Sequence, residues 1–391
     1  MRALRVVLAG GGTGGHVFPM IAVADALRSL DPSLELSFVG TARGLESRLV
    51  PERGYPLRLV EILPLRGGGA LGAWRGATQA VRATLAERRA LAELRPDVVF
   101  SVGGYAAGPV AAAARSRGIP VALMEPNSVI GLANRLIAPF VQRAYTAFAA
   151  SERHFPAGSV LRTGVPIRSG FERRPYRRGE VPTVLVLGGS QGAKSLNEAL
   201  PEAFSQLKQP LCVVHQCGAA HIASVEALYA AVAPALGARV IPFIEDMPAQ
   251  IAAADLVVSR SGAGAVSEIC AIGRASLLVP YPYAAGDHQT QNAVALEVAG
   301  AARRVDAAAA TPERLRELLS ELLGDPTRLD AMAAAAGNLG RPDAAREVAS
   351  DLLRLAGLSL AHARSGRGSA RSGAISSGPL GLSQLDPMEV R

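Results

Sequence analysis

LRVVLAGGGTGGHVFPMIAVADALRSL, residues 4–30, sets a short apolar run against a glycine-rich turn and then a run with helical spacing. LRVVLA (4–9) reads as a buried strand, Gly10 to Gly15 as a turn, and about His16 to Leu30 as an amphipathic helix. The same order returns at 182. PTVLVLGG (182–189) is a second apolar strand ending in glycines, and QGAKSLNEALPEAF (191–204) is helical. LELSFVG (34–40), DVVFSVGG (97–104), PVALMEP (120–126), RAYTAF (143–148) and SVLRTG (159–164) read as further strands of the first half. CVVHQCG (212–218), ARVIPFIEDM (238–247), ADLVVSRSG (254–262) and ASLLVPYP (275–282) do so in the second. Helical stretches separate them. Strand–helix alternation argues for parallel sheets covered on both faces, hence an α/β protein. RSGFERRPYRRGEVP (168–182) is polar, basic and proline-bearing, and reads as the connection between two units. The expectation is two tandem Rossmann-like domains with a cleft between them, 1–165 and 166–357. The Arg/Ser/Gly-rich tail, 358–391, is low in complexity and expected to be disordered.

Composition agrees with that size. The 391 residues correspond to two or three domains. Hydrophobic residues at 49% and charged residues at 19% describe a globular chain and exclude a mainly disordered one. Aromatic residues at 4% argue against a base-stacking nucleic-acid binder. The net charge of +8 is uneven: residues 1–165 carry +8, 166–357 carry −2 and 358–391 carry +2. The excess is arginine, since the only lysines are Lys194 and Lys208. The first half is therefore expected to meet something anionic, phosphates or a lipid surface. Cys212, Cys217 and Cys270 form no CxxC and read as free thiols. The N-terminus reads as a first strand rather than a signal peptide. There is no run of 18 apolar residues, so membrane contact is expected to be peripheral. ALGAWRGATQAVRATLAERRALAELR (70–95), which holds the only tryptophan, Trp74, reads either as a helix packed on its sheet or as a partial membrane contact.

Gly10, Gly12 and Gly15 satisfy G-x-G-x-x-G, whose glycines let backbone approach a diphosphate at a helix N-terminus. A dinucleotide site also wants an acid at the end of the second strand. That strand ends FVGTARG (38–44), without one, which weighs against NAD. His16 follows the turn directly. The start of a helix disfavours the imidazolium, so a neutral His16 suits a general base, beside the plainer reading of a structural hydrogen bond. Gly188 to Gly192, GGSQG, matches the G-x-S-x-G elbow of serine hydrolases. Its later histidines are poorly spaced for a triad, and a second phosphate cradle with Ser190 is preferred. SVGGYAAGP (101–109) reads as a plain turn or as a loop that approaches an acceptor's phosphates. In 259–293, Glu268 could grip two ribose hydroxyls or merely complement a helix dipole. Asp287, His288, Gln289 and Asn292 could cap a helix or, as clustered polar groups, hold a sugar. No D-x-D pair and no metal-spaced His/Cys cluster occurs. A leaving diphosphate would then rest on helix N-termini, Ser190 and an arginine, with no metal and no cofactor.

GGTGGHVFPMIAVADAL (11–27), SVGGYAAGP, EPNSVIGLANR (125–135), TGVPIR (163–168), LGGSQGAKSLNE (187–198), SRSGAGAVSEI (259–269) and DHQTQNA (287–293) together resemble, in order, the MurG family. That family is the UDP-N-acetylglucosamine–N-acetylmuramyl-(pentapeptide) pyrophosphoryl-undecaprenol N-acetylglucosamine transferases. The resemblance runs over about residues 5–357. It implies a GT-B fold, with a lipid acceptor on the N-terminal domain and UDP-GlcNAc mainly on the C-terminal one. It implies an inverting transfer of GlcNAc to the C4 hydroxyl of MurNAc in undecaprenyl-diphosphate-MurNAc-pentapeptide (lipid I), giving lipid II for peptidoglycan. The place would be the cytoplasmic face of the bacterial inner membrane, as a peripheral protein on an anionic surface. By resemblance, Thr13, Gly14 and Gly15 are the first loop at the substrate and His16 the base. Asn127 reaches the donor sugar, Arg168 is a donor-site arginine, and Ser190 meets the diphosphate. The Ile244 backbone reads uracil. Ala263, Gly264, Ala265, Val266, Ser267 and Glu268 form the donor turn and ribose carboxylate, and Gln289 holds sugar hydroxyls. Two departures stand out: Thr290 where some members carry a second glutamine, and Pro126 beside Asn127. A UDP-GlcNAc 2-epimerase, or another GT-B glycosyltransferase with a different lipid acceptor, is the alternative.

Overall fold

The computed structural model of the chain describes residues 2–60, 69–104, 106–189 and 192–368, with 69–77 and 358–368 described by backbone alone. Among these residues two parallel sheets form, one in each half of the chain. The first contains β1 (Arg5–Gly10), β2 (Glu35–Gly40), β3 (Leu57–Leu59), β4 (Val98–Gly103), β5 (Val121–Glu125), β6 (Arg143–Thr146) and β7 (Val160–Leu161). Their order is β3-β2-β1-β4-β5-β6-β7. The second contains β8 (Thr183–Leu187), β9 (Cys212–Gln216), β10 (Arg239–Ile241), β11 (Leu256–Ser259), β12 (Ala275–Leu278) and β13 (Ala302–Arg304), in the order β10-β9-β8-β11-β12-β13. The helices of the first half are α1 (Gly14–Leu30), α2 (Glu46–Glu52), α3 (Gly69–Leu94), α4 (Ala107–Ser116) and α5 (Leu132–Ile137). Those of the second are α6 (Lys194–Ser205), α7 (Ile222–Val232), α8 (Met247–Ala253), α9 (Ala263–Ile272), α10 (His288–Val298), α11 (Pro312–Gly324), α12 (Pro326–Leu339) and α13 (Ala344–Gly368). This is the doubly wound arrangement expected, twice over.

The central strands are mainly apolar along their length because both their faces are covered. In β1, Val6 and Leu8 pack with Val17 and Met20 of α1, while Val7 and Ala9 pack with Val110 and Ala111 of α4. In β8, Val184 and Val186 face α6 and α11, while Leu185 and Leu187 face Ile251 and Ile269. The two strands not anticipated from sequence, β3 and β13, are outer strands of three residues carrying Arg58, or Arg303 and Arg304. Charge on such a strand guards its unpaired edge and hides its apolar pattern.

One device is used in both sheets. Asp97, just before β4, accepts the backbone N–H of Arg5 at 2.9 Å. Asp255, just before β11, accepts that of Thr183 at 2.7 Å. Each carboxylate is almost fully buried and ties the start of the strand after the crossover to the start of the central strand. The connection between the units is pinned to the second sheet. Phe171 is buried in its core, Tyr176 donates to Asp255, and the buried Arg274 guanidinium donates to the carbonyls of Arg174 and Pro175.

The last helix returns to the first sheet. Val348, Ala349, Leu352 and Ala356 of α13 enter the core beside β1 and α1. Asp351 accepts from Tyr145 Oη at 3.0 Å and pairs with Arg143 at 2.8 Å. So 344–356, within the stretch expected to belong to the C-terminal domain, completes the N-terminal core. The cause is apolar: α1 would otherwise expose the face that α13 covers. The helix also runs past residue 358, where the tail was expected to start, to Gly368.

His215 on β9 is fully buried. Asn197 donates its amide to Cys217 O, so its Oδ1 faces His215 Nε2 at 3.1 Å and takes that N–H. Nδ1, 3.0 Å from Tyr229 Oη, then accepts the phenol proton. The ring is satisfied only when neutral, and burial pushes its pKa down to about 4. A histidine with a depressed folded pKa contributes stability that is present above its unfolded value of 6.5 and is lost as pH falls from 6.5 to about 4. The shift corresponds to about 3 kcal/mol. Urea unfolding of the second half should weaken by about that much between pH 7 and pH 4 relative to His215→Gln. Parallel pH slopes for the two proteins would contradict this role.

Candidate active site

In open parallel sheets the crevice lies beyond the carboxyl ends of the strands, where the strand order reverses. Here those points lie between β1 and β4 and between β8 and β11. The chain leaves these points through 10–15, 103–108, 188–192 and 260–262, which contain the glycine-rich stretches singled out in the sequence; Tyr105, Ser190 and Gln191 lie outside the described residues.

The first loop is tightly built. Thr13, exposed, begins α1 without a side-chain cap, and Gly14 and Gly15 form its first turn. Gly104, with φ +89°, leaves no room for a side chain against Gly11 O, so the loops after β1 and β4 touch. His16 Nδ1 lies 3.2 Å from Gly11 O. A carbonyl only accepts, so Nδ1 carries the proton and Nε2 is the basic nitrogen. The ring is half-exposed at the cleft, yet protein from both halves surrounds it. Its pKa is lowered, chiefly by burial, against the opposing Gly11 hydrogen bond; His288 lowers it further and Glu46 raises it.

The opposite wall comes from the second half. Glu268 sits in α9, whose first turns hold Ala263 to Ser267. Its carboxylate is 3.1 Å from Arg168 Nη2. Burial raises the Glu268 pKa, while the Arg168 charge and hydrogen bond lower it. Arg168 crosses toward the first half: its guanidinium carbon is 5.5 Å from the Phe18 ring centre and 5.6 Å from that of Phe171. Ile244 is buried beside Ile167 and Phe171, next to the exposed Phe243. Gln289 Oε1 accepts from the Tyr281 N–H at 2.9 Å, and its carbonyl accepts from Ser261 Oγ. Thr290 Oγ1 donates to Asp287 at 2.6 Å, so it is spent on the turn that begins α10. Ser190 lies outside the described residues.

Asn127 stands at the end of β5, where Glu125 accepts its backbone N–H at 3.0 Å. Its Oδ1 accepts from Asn292 Nδ2 at 3.2 Å. Asn292 is fully buried on α10; its Oδ1 accepts both the N–H and the hydroxyl of Ser128, and its Nδ2 also donates to Ser261 O. This cluster joins the two halves across the cleft.

Three participants were not assigned a role from sequence. Arg260 donates to Val279 O, Pro280 O and Ser195 Oγ, which places a cation at the loops after β11 and β12. Ser128 is the N-terminal half of the Asn292 contact. Glu46 supplies the acid that the end of β2 lacks, but from the start of α2. It is fully buried, and its oxygens are taken by Thr41 and Gly12. It is therefore not offered to a ribose. A signal was present: Gly40 and Gly44 flank it, and a Cβ on either would overlap its side chain.

Family models for the glycosyltransferase family 28 N-terminal and C-terminal domains match residues 6–146 and 183–348. A crystal structure of MurG from Acinetobacter baumannii superposes with a TM-score of 0.77 at 36% identity, covering 90% of this chain and 99% of that one. The UDP-N-acetylglucosamine–N-acetylmuramyl-(pentapeptide) pyrophosphoryl-undecaprenol N-acetylglucosamine transferase of Sorangium cellulosum is 49% identical over 360 residues, 90% of this chain and 89% of the relative. The chain belongs to the MurG family. Its two sheets are the GT-B fold of MurG. UDP-GlcNAc 2-epimerase from Neisseria meningitidis, solved bound to UDP-GlcNAc, shares that fold with a TM-score of 0.59 at 14% identity, over 90% of this chain and all of that one. At that identity the likeness to the epimerase is one of fold alone. Like MurG, the chain is a hexosyltransferase.

Proposed function

We propose that the chain transfers GlcNAc from UDP-GlcNAc to the C4 hydroxyl of MurNAc in lipid I, with inversion, to make lipid II. The observation that carries the reading is His16, held through Nδ1 by Gly11 O so that Nε2 is the base, across the cleft from the Arg168–Glu268 pair. Neutral His16 takes the proton of the C4 hydroxyl. The freed oxygen bonds to the anomeric carbon from the face opposite UDP, through an oxocarbenium-like transition state. The bond from that carbon to the diphosphate breaks, and its electrons leave with UDP. Gly189 and the start of α6, with Ser190 next in sequence, Arg260 bonded to Ser195 of that helix, and Arg168, suit the charge that develops there. Glu268 holds the ribose, Gln289 and Asn127 the sugar, the Ile244 backbone the uracil, and Ala263 to Ser267 line the donor. Thr13, Gly14 and Gly15 form the first loop at the substrate. In this reading 1–165, completed by α13, is the acceptor and membrane-facing domain, and the remainder of 166–357 is the donor domain.

Among the described residues no helix is long and apolar enough to cross a membrane. A peripheral site on the cytoplasmic face of the inner membrane fits two features of the N-terminal half. It holds the basic excess, and Leu132, Leu136 and Phe140 lie exposed around Arg135. On α3, Val81 and Leu85 are exposed as well, while the side chain of Trp74 lies outside the description.

The test is transfer of labelled GlcNAc from UDP-GlcNAc to a lipid I analogue, with and without EDTA. Product should form in both. UDP-ManNAc formed without acceptor would replace the transferase with an epimerase. Product abolished by EDTA would overturn the metal-free diphosphate site.

A further inference from the structure

The buried Glu46 carboxylate is a group that the transfer does not consume. It comes from the first turn of α2, yet its three hydrogen bonds go elsewhere. Oε1 accepts the Thr41 N–H and hydroxyl, each at 2.8 Å. Oε2 accepts the Gly12 N–H at 2.8 Å. Thr41 follows β2 and Gly12 follows β1, so one carboxylate joins the ends of two neighbouring strands. The backbone makes room for it: a Cβ on Gly11, Gly40 or Gly44 would overlap the Glu46 side chain. Leu45 N also donates to Gly12 O at 3.2 Å, so Gly12 is held at both its N–H and its carbonyl by the segment that carries Glu46. Gly11, between this anchor and β1, presents the carbonyl that takes the His16 Nδ1 proton.

We infer that Glu46 is a positioning residue for His16: it fixes the Gly11–Gly12 backbone, and through Gly11 O the tautomer and orientation of the ring. The inference rests on His16 being the base. The carboxylate also acts through space. Two titratable groups bear on the His16 ring, Glu46 from α2 and His288 from the start of α10. Glu46 favours the charged ring and His288 disfavours it. Removing the Glu46 charge should lower the pKa of His16.

An amide at position 46 keeps the shape but turns a donor toward one of the N–H groups. Glu46→Gln is expected to lower kcat about tenfold, with the KM for UDP-GlcNAc unchanged. The acid limb of its kcat/KM profile should move to lower pH, because the base then stays neutral further into acid. Glu46→Asp keeps the charge and should leave the limb in place with a smaller loss of kcat. Glu46→Gln added to His16→Ala should cost nothing further, since the ring it aims is gone. Parent kcat in Glu46→Gln, or a kcat loss with an unmoved limb and full additivity with His16→Ala, would overturn the inference. If Glu46→Gln fails to fold, Glu46→Asp decides: a reduced kcat at unchanged donor KM supports the role and a parent kcat overturns it. Parent turnover in His16→Ala would instead remove the base assignment itself, which keeps the two failures distinct.

Discussion

His16→Ala should turn over about 10²–10⁴-fold more slowly, while its affinity for UDP-GlcNAc stays that of the parent chain. The asymmetry follows from where His16 sits. It lies in the first turn of α1, directly after the glycine turn that follows β1, whereas Glu268, Gln289 and Ile244 come from the second half. An imidazole that accepts a proton only as the C4 oxygen attacks stabilises the transition state and not the bound donor, so the loss falls on kcat. The pH profile should report the same group. Burial, the largest cause, holds its pKa below the ordinary 6.5 against the pull of the Gly11 hydrogen bond. The neutral ring is the active form. Turnover should therefore persist below pH 6.5 and fall as pH drops through the lowered pKa, and His16→Ala should lose that limb. Unchanged kcat, or an unchanged acid limb, would end the assignment.

Glu268→Ala should raise the KM for UDP-GlcNAc about 10–100-fold with kcat little altered, on the basis of one or two charge-assisted hydrogen bonds to ribose. In the structure Glu268 pairs with Arg168, itself lodged between Phe18 and Phe171. The ribose must share the carboxylate with that arginine or displace it. A truncation that also unpairs Arg168 confounds the reading, and a deoxyribose donor separates the two effects. The parent should lose a comparable factor on that donor, whereas Glu268→Ala should lose nothing more. Full additivity of the two changes would mean that the carboxylate serves Arg168 and not the ribose.

Much of this was legible without coordinates, for a physical reason. The strands that form the centres of both sheets are covered on both faces, so they appear as unbroken apolar runs, and each ends in the glycines that its turn requires. RVVLAG and TVLVL announce themselves in this way; LRL at 57 and ARR at 302 do not, since edge strands carry charge. For His16 the sequence showed its place directly after a glycine turn and at a helix start, whereas the burial that lowers its pKa, with His288 and Glu46 beside it, comes from distant parts of the chain. The sequence by itself therefore determined two doubly wound units, their glycine loops, and the order of motifs that marks the MurG family. Only the tertiary structure decided how distant residues share a hydrogen bond. It brings Asn292 onto Ser128 and Asn127 from 164 and 165 positions away. It sets Arg168 against Glu268, returns α13 to the first core, and folds Glu46 back under Gly12. Such pairings leave no periodicity along the chain. They follow from which buried polar groups lack partners once the sheets have formed, and that is settled by packing in three dimensions.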